Sequence, residues 1–141
     1  MNHWMWMLVG LATLAYGAAP SAVQGQEANK VSEFMRAKLL HSQKVLEGLV
    51  REDYDAIAKH AQEMSLLSQA SNWQVFETPE YVRQSSEFQR AADELTKAGK
   101  EKNLDGAALA YVAMTMKCVA CHKYVRGVRM ANKRIELPRK R

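Results

Sequence analysis

Residues 105–128 read DGAALAYVAMTMKCVACHKYVRGV, and this stretch decides the fold class. Small and apolar residues recur in it at alternating steps of four and three, which places them on one face of an α-helix. The residues that follow this spacing are Ala107, Tyr111, Met114, Cys118, Cys121 and Val125. The stretch therefore predicts a long amphipathic helix, and Asp105 is expected to cap its N-terminus.

Three segments upstream of this helix show the same periodicity. The apolar stripes comprise Val31, Met35, Leu39, Leu46 and Leu49 in the first segment, Tyr54, Ile57, Ala61, Met64 and Leu67 in the second, and Tyr81, Phe88, Ala92 and Leu95 in the third. The third segment also opens with Thr78 and Pro79, a capping residue followed by proline at the first helical position, and Gly99 is expected to end it.

The links between these segments predict how the helices are arranged. The link at 50–53 and the link at 99–105 are only a few residues long, so each pair of helices is expected to run antiparallel. The sequence thus predicts an all-α fold, an antiparallel up-down four-helix bundle over residues 31–128. With 141 residues, 7 Gly and 3 Pro, the chain suits one helical domain and lacks the turn density of a β-sandwich.

The two ends of the chain differ from this domain. Residues 1–25 contain no Lys, Arg, Asp or Glu, and carry an apolar run over 4–19 that is shorter than the roughly 20 residues of a membrane span. We interpret 1–25 as a signal peptide, cleaved after Ala19 or Gly25, which predicts export to the periplasm. The alternative is a retained helical anchor.

Charge is concentrated at the other end. From Lys117 onward there are nine basic residues and one acidic residue, whereas the rest of the chain has a net charge of −3. Residues 26–130 are predicted to form the domain, and 131–141 a mobile basic tail. The basic residues are expected to attract an acidic partner protein or an anionic membrane surface, and the alternative is an ordinary solvated helix face.

The chemistry of the sequence lies in Cys118, Cys121 and His122, a CxxCH motif with the only two cysteines of the chain. Thiols three residues apart share a helix face, so both can bond to the vinyl groups on one edge of a haem while His122 ligates its iron. A redox disulfide and a zinc site are the alternatives. The first usually accompanies a strand–helix pattern that is absent here, and the second lacks a clear fourth ligand.

With this motif near its C-terminus, the chain resembles the class II cytochromes c, which include cytochrome c-prime and its low-spin relatives. The resemblance extends to CVACHKYVR at 118–126 and to the segment 67–76, which contains Trp73 and Phe76. It implies one covalently bound haem c per chain, near one end of the bundle, with His122 as the proximal ligand. It further implies haem contact by Trp73, and we expect Arg126 to pair with a haem propionate.

The resemblance also directs attention to the first helix, which faces the distal side of the haem in this family. Met35 is the first choice for a sixth iron ligand, since low-spin members use a methionine there. There are two alternatives. Met35 is a core residue that does not ligate the iron, or the iron is five-coordinate and Leu40 is the apolar residue that shields its open position. Bis-histidine ligation by His41 or His60 is a further option, although neither lies on the predicted inner stripe.

These choices lead to three functional expectations. The first is a periplasmic electron carrier, the second a five-coordinate protein that binds nitric oxide or carbon monoxide, and the third a haem subunit of a respiratory enzyme. No catalytic constellation is visible, so the chain is not expected to be an enzyme. The expected partner is an acidic redox protein and not nucleic acid, and a homodimer through the first two helices follows from the resemblance.

Overall fold

The computed structural model describes residues 21–69 and 78–136, with side chains for residues 29–69 and 78–133. These residues form four α-helices and no strand. The helices are α1 (Ser21–Arg51), α2 (Tyr54–Gln69), α3 (Pro79–Lys100) and α4 (Leu104–Glu136). The predicted all-α, four-helix fold is therefore confirmed.

Some predicted features lie outside the described residues. These are most of the predicted signal peptide, the segment with Trp73 and Phe76, and the last five residues, at 1–20, 70–77 and 137–141.

Two helices extend beyond residues 31–128, the range predicted for the bundle. Helix α1 already begins at Ser21, within the segment 1–25. Helix α4 continues to Glu136, past residue 128, where the predicted bundle ends.

The core lies where the stripes of α2, α3 and α4 meet. Its fully buried side chains include Ile57 and Met64 on α2, Leu95 on α3, and Met114 on α4. Because each of these residues belongs to a predicted stripe, the periodicity of the last three segments is confirmed. Tyr111 and Cys118 pack partly buried against this core.

The predicted stripe on α1 is wrong at two positions. Leu39 and Leu46 are 60% and 48% exposed, whereas Val45 is fully buried. The inner face of α1 instead follows Lys38, Val45 and Gly48, a spacing of seven and three residues. Because Lys38 belongs to this face, the spacing of apolar residues alone did not identify it.

The N-terminal cap of α3 is the residue predicted from the sequence, whereas the cap of α4 is a different residue. The side-chain oxygen of Thr78 accepts a hydrogen bond from the backbone N–H of Tyr81 at 3.2 Å, as predicted for the start of α3. At α4, however, the N–H of Gly106 donates to the side-chain oxygen of Asn103 at 2.9 Å. Asn103, and not Asp105, therefore caps α4, and the helix begins one residue earlier than Asp105.

Two glycines allow the helices to approach closely around the start of α2. A Cβ added at Gly48 of α1 would lie 3.0 Å from a side-chain carbon of Ile57, and one added at Gly99 of α3 would lie 2.9 Å from the backbone nitrogen of Ala58. Ile57 itself is fully buried. The last turns of α1 and α3 therefore clamp the first turn of α2 between them.

Helix α4 is apolar on both of its faces. Its inner face supplies core residues, but Leu109, Val112 and Met116 on the outer face are 60–73% exposed. By length and composition alone, Leu104–Lys133 could cross a membrane, although core helices of soluble proteins pass the same criterion. The burial of Ala107 and Met114 accounts for the apolar inner half.

The clamp predicts opposite effects for two Gly→Ala substitutions. Gly99→Ala should destabilise the fold by about 1–3 kcal/mol, because the new methyl group meets backbone that cannot move without separating α2 from α3. The matched control is Gly127→Ala on α4, where nothing lies within 4 Å of the added Cβ. This control should be neutral or stabilising by up to about 1 kcal/mol.

Urea unfolding followed by circular dichroism measures both free energies of unfolding. Equal effects of Gly99→Ala and Gly127→Ala would show that α2 and α3 do not approach closely at Gly99.

Candidate functional site

Helix α4 presents its two cysteines on one face, one turn apart. Both thiols are partly buried, and neither is in a disulfide. Cys118 packs against the hydrophobic core through the same face that carries Met114 one turn earlier. The helical spacing thus holds two free sulfur atoms side by side at the edge of the core.

Two tyrosine hydroxyls tie α4 to the other helices on either side of this pair. The hydroxyl of Tyr111 lies 3.3 Å from Ser42 Oγ on α1, and the hydroxyl of Tyr124 lies 2.7 Å from Thr78 Oγ1 at the start of α3. Since one tyrosine precedes Cys118 and the other follows Cys121, the segment between them is held at both ends.

Burial controls the protonation of both thiols. It raises the pKa of Cys118 and of Cys121 above the ordinary value, because a thiolate loses its solvation there. The positive charge of Lys38 acts in the opposite direction on both groups without overcoming burial. At neutral pH the site therefore contains two protonated thiols.

Lys38 is the α1 side chain whose charge reaches both cysteines. Its Nζ lies 4.2 Å from the ring centre of Phe88 on α3, within the range of a cation–π contact. Burial lowers the pKa of Lys38 to about 8, and the two cysteines partly offset this. The ammonium group thus links α1 to the cysteine-bearing face of α4 and to α3.

The other α1 candidates occupy different positions. Met35 is partly buried, one turn before Lys38, and Leu40 is 55% exposed. Sequence reasoning missed Lys38 because it searched α1 for apolar residues. The spacing of seven residues from Lys38 to the buried Val45 is the signal that could have identified it.

His122 and Arg126 are both exposed on α4, with His122 directly after Cys121. The exposed imidazole is accessible to a ligand or metal that contacts this side of α4. Trp73, the remaining predicted site residue, lies outside the described residues.

The histidines predicted as alternative ligands are paired with each other. His41 Nδ1 of α1 lies 2.9 Å from His60 Nδ1 of α2. Their rings are therefore turned to the α1–α2 contact.

A second polar cluster joins α3 to α4 just before the motif. Lys117 Nζ donates to a carboxylate oxygen of Glu87 at 2.9 Å, and Arg83 also pairs with Glu87. The hydrogen bond from Lys117 is the main cause that lowers the pKa of Glu87. Lys117, one of the basic residues around the motif, is thus paired within the fold.

The described surface offers one broad groove between α3 and α4, with a volume of about 550 Å³. Glu94, Leu109 and Lys117 are among its lining residues, and neither cysteine lines it. Among the described residues, no group of three or more His, Cys, Asp or Glu side chains could hold a metal ion.

Comparisons of this chain with protein-family models, curated proteins and solved structures found no match. Function is therefore inferred from the chemistry of the motif and from its surroundings.

The site predicts how the thiols react when no group is attached to them. In the folded apoprotein, alkylation of Cys118 and Cys121 should require a higher pH than alkylation of the urea-unfolded chain, because burial raises both pKa values. The substitution Lys38→Met should shift this pH dependence further upward, since it removes the nearby positive charge. Rates of iodoacetamide modification across pH, measured by mass spectrometry, provide the test.

The control is Lys97→Met, which removes an exposed charge from α3 and should leave the profile unchanged. If Lys38→Met has no larger effect than Lys97→Met, Lys38 does not face the cysteines.

Proposed function

We propose that this chain is an exported c-type cytochrome that carries electrons, with one haem c bonded to Cys118 and Cys121 and its iron ligated by His122. The observation that carries the proposal is the CxxCH motif on α4, with both thiols on one helix face at the edge of the core. When bound, the haem supplies an iron that gains and loses one electron reversibly. The chain itself holds, orients and shields that group.

The state of the cysteines supports covalent attachment. Both are free thiols, partly buried and protonated, and one helical turn separates them. Each S–H can add across one vinyl group of the haem, so that sulfur bonds to one carbon and hydrogen to the other. His122 follows directly and is exposed, so its imidazole has room to turn toward the iron.

The arrangement of the helices also supports a haem held along α4. We infer that the bundle is antiparallel and up-down, because only residues 52–53 separate α1 from α2 and only 101–103 separate α3 from α4. Helix α1 packs mainly on α2, and α4 mainly on α3, whereas α1 and α4 contact each other little. A planar group on the cysteine face of α4 is thus proposed to insert between α1 and α4.

For the sixth iron ligand we retain Met35. It is partly buried on α1, one turn from the Lys38 position that faces the cysteines, so both belong to the same stretch of helix. A thioether ligand raises the reduction potential. The positive charge of Lys38 near the haem acts in the same direction, because it favours the iron state with the lower charge.

Partner recognition is proposed to use the exposed basic residues beyond the motif. Lys123, Arg126 and Arg129 are exposed on α4, whereas Lys117 is paired with Glu87. Three exposed cations beside a haem edge suit an acidic redox protein in the periplasm or an anionic membrane surface. One of them, Arg126, is also proposed to pair with a haem propionate.

Covalent attachment is tested by producing the chain together with haem-maturation machinery. We expect the purified protein to gain the mass of one haem and to keep its colour after acid–acetone extraction. Cys118→Ser and Cys121→Ser should each leave a single bond to the haem, and the double variant should lose the haem on extraction. The exposed substitution Asp93→Ala on α3 serves as the control and should retain the haem.

Release of the haem from the unmodified protein by acid–acetone would contradict the proposal.

The electron-carrier function is tested by Met35→Ala. The unmodified protein should be low-spin in both oxidation states, with a weak sulfur-to-iron charge-transfer band when oxidised. The variant should lose this band, and should bind carbon monoxide when reduced because a coordination position opens. Met116→Ala, which removes an exposed methionine of α4, is the control.

A high-spin unmodified protein that already binds carbon monoxide would instead support the gas-binding alternative. An unchanged low-spin spectrum of Met35→Ala would exclude Met35 as the ligand.

A further inference from the structure

His41 on α1 and His60 on α2 form a contact that the proposed haem function does not use. Their Nδ1 atoms lie 2.9 Å apart, and their ring centres are 5.2 Å apart with an angle of 41° between the planes. These distances place the two nitrogens between the rings, facing each other. One nitrogen must donate a proton and the other accept it, so the pair shares one proton.

The helices that carry these rings are fixed relative to each other. Only Glu52 and Asp53 separate α1 from α2, and Gly48 packs directly against Ile57. The backbone N–H of Asp53 also donates to the carbonyl of Gly48 at 2.9 Å. The two imidazoles are therefore supplied by a rigid hairpin.

We propose that His41 and His60 form a binding site for a divalent transition-metal ion that favours nitrogen ligands at right angles, with water in the remaining positions. Metal–nitrogen bonds of about 2.0–2.1 Å and a nitrogen separation near the present one give an angle of about 90° at the metal. Cu²⁺ and Ni²⁺ adopt such tetragonal geometries, and imidazole suits both ions.

Binding replaces the shared proton by the metal. Each ring turns about its side-chain torsions until the two lone pairs converge on one point, while the helices stay in place. Both side chains are only partly buried, so the metal can keep water ligands on the solvent side. The proton leaves Nδ1 of the donor ring and solvent returns one to Nε2 of the same ring, so both imidazoles stay neutral and no electron is transferred.

The charges around the pair determine how tightly a cation is held. Burial is the main cause that lowers the pKa of His60, followed by the charges of His41, Lys59 and Lys44, whereas Glu63 raises it. The neutral imidazole is the form that ligates metals. Lys44 is itself paired with Glu47 at 2.7 Å, which reduces its repulsion of a bound cation. Glu63, one turn beyond His60, attracts one.

The test is a calorimetric titration with Ni²⁺, which is not reduced by thiols. The purified full chain is used with His3→Ala in every sample, because a terminal Met-Asn-His sequence also offers nitrogen ligands. The thiols of Cys118 and Cys121 are blocked with iodoacetamide in every sample, and we expect one equivalent of Ni²⁺ to bind. His41→Ala and His60→Ala, made separately in this background, should each weaken that binding roughly tenfold or more.

Two controls separate ligation from a general effect on the hairpin. Gln62→Ala, an exposed neighbour on α2, should leave the affinity unchanged, and Lys44→Gln should increase it. Ni²⁺ should also raise the melting temperature of the background protein but not of the two histidine variants. Circular dichroism should show the same helix content for all of them.

If the double variant His41→Ala/His60→Ala binds Ni²⁺ with the same affinity and stoichiometry as the background, the proposal is wrong and the pair serves only as a hydrogen bond between helices. Because neither histidine belongs to the CxxCH motif, this outcome is independent of whether haem is attached.

Discussion

The close packing of three helices around Ile57 is the constraint on which the rest of the structure depends. Gly48 and Gly99 lack side chains where α1 and α3 meet the first turn of α2, and a methyl group at Gly99 would collide with the backbone of Ala58. The two short links lie at this same end of the bundle. This close packing therefore fixes the axial positions of α1, α2 and α3 relative to one another. The second link then fixes the axial position of α4 relative to α3.

This constraint explains why the charge of Lys38 reaches both cysteines. Lys38 lies 14 residues before Glu52, and Cys118 lies 15 residues after Asn103. With a rise of 1.5 Å per residue, both are roughly 21–23 Å from the closed end of the bundle. Lys38 and the two cysteines therefore lie at about the same position along the bundle axis. The hydroxyl contacts of Tyr111 and Tyr124 hold α4 in this position.

Much of the fold could be predicted from the sequence, because the stripes of α2, α3 and α4 consist of apolar residues at helical spacing. The stripe of α1 could not, since its inner face carries Lys38 where an apolar residue was expected. A long side chain can bury its stem and still place its charge over an aromatic ring, here Phe88, where that charge also acts on the two thiols. Residue type alone gave no indication of this arrangement.

The candidate site, too, could be predicted from the sequence only in part. The spacing of Cys118 and Cys121 was enough to predict two thiols on one face, since helical geometry follows from sequence separation. The cap of α4 was misassigned because Asp105 and Asn103 are both good capping residues, and only the backbone determines which side chain reaches a free N–H. The pairing of His41 with His60 depends on the relative rotation of α1 and α2, which no single segment encodes.

Covalent attachment of a haem to the two cysteines of α4 is the basis of the proposed function. It is tested most directly by the optical spectrum of the purified protein after denaturation in alkaline pyridine and reduction, because the band position depends on whether the vinyl groups have been converted to thioethers. Covalent attachment predicts the spectrum of a haem with two thioether bonds, at one haem per chain. A spectrum of unmodified haem, or no haem after production with maturation machinery, would contradict it.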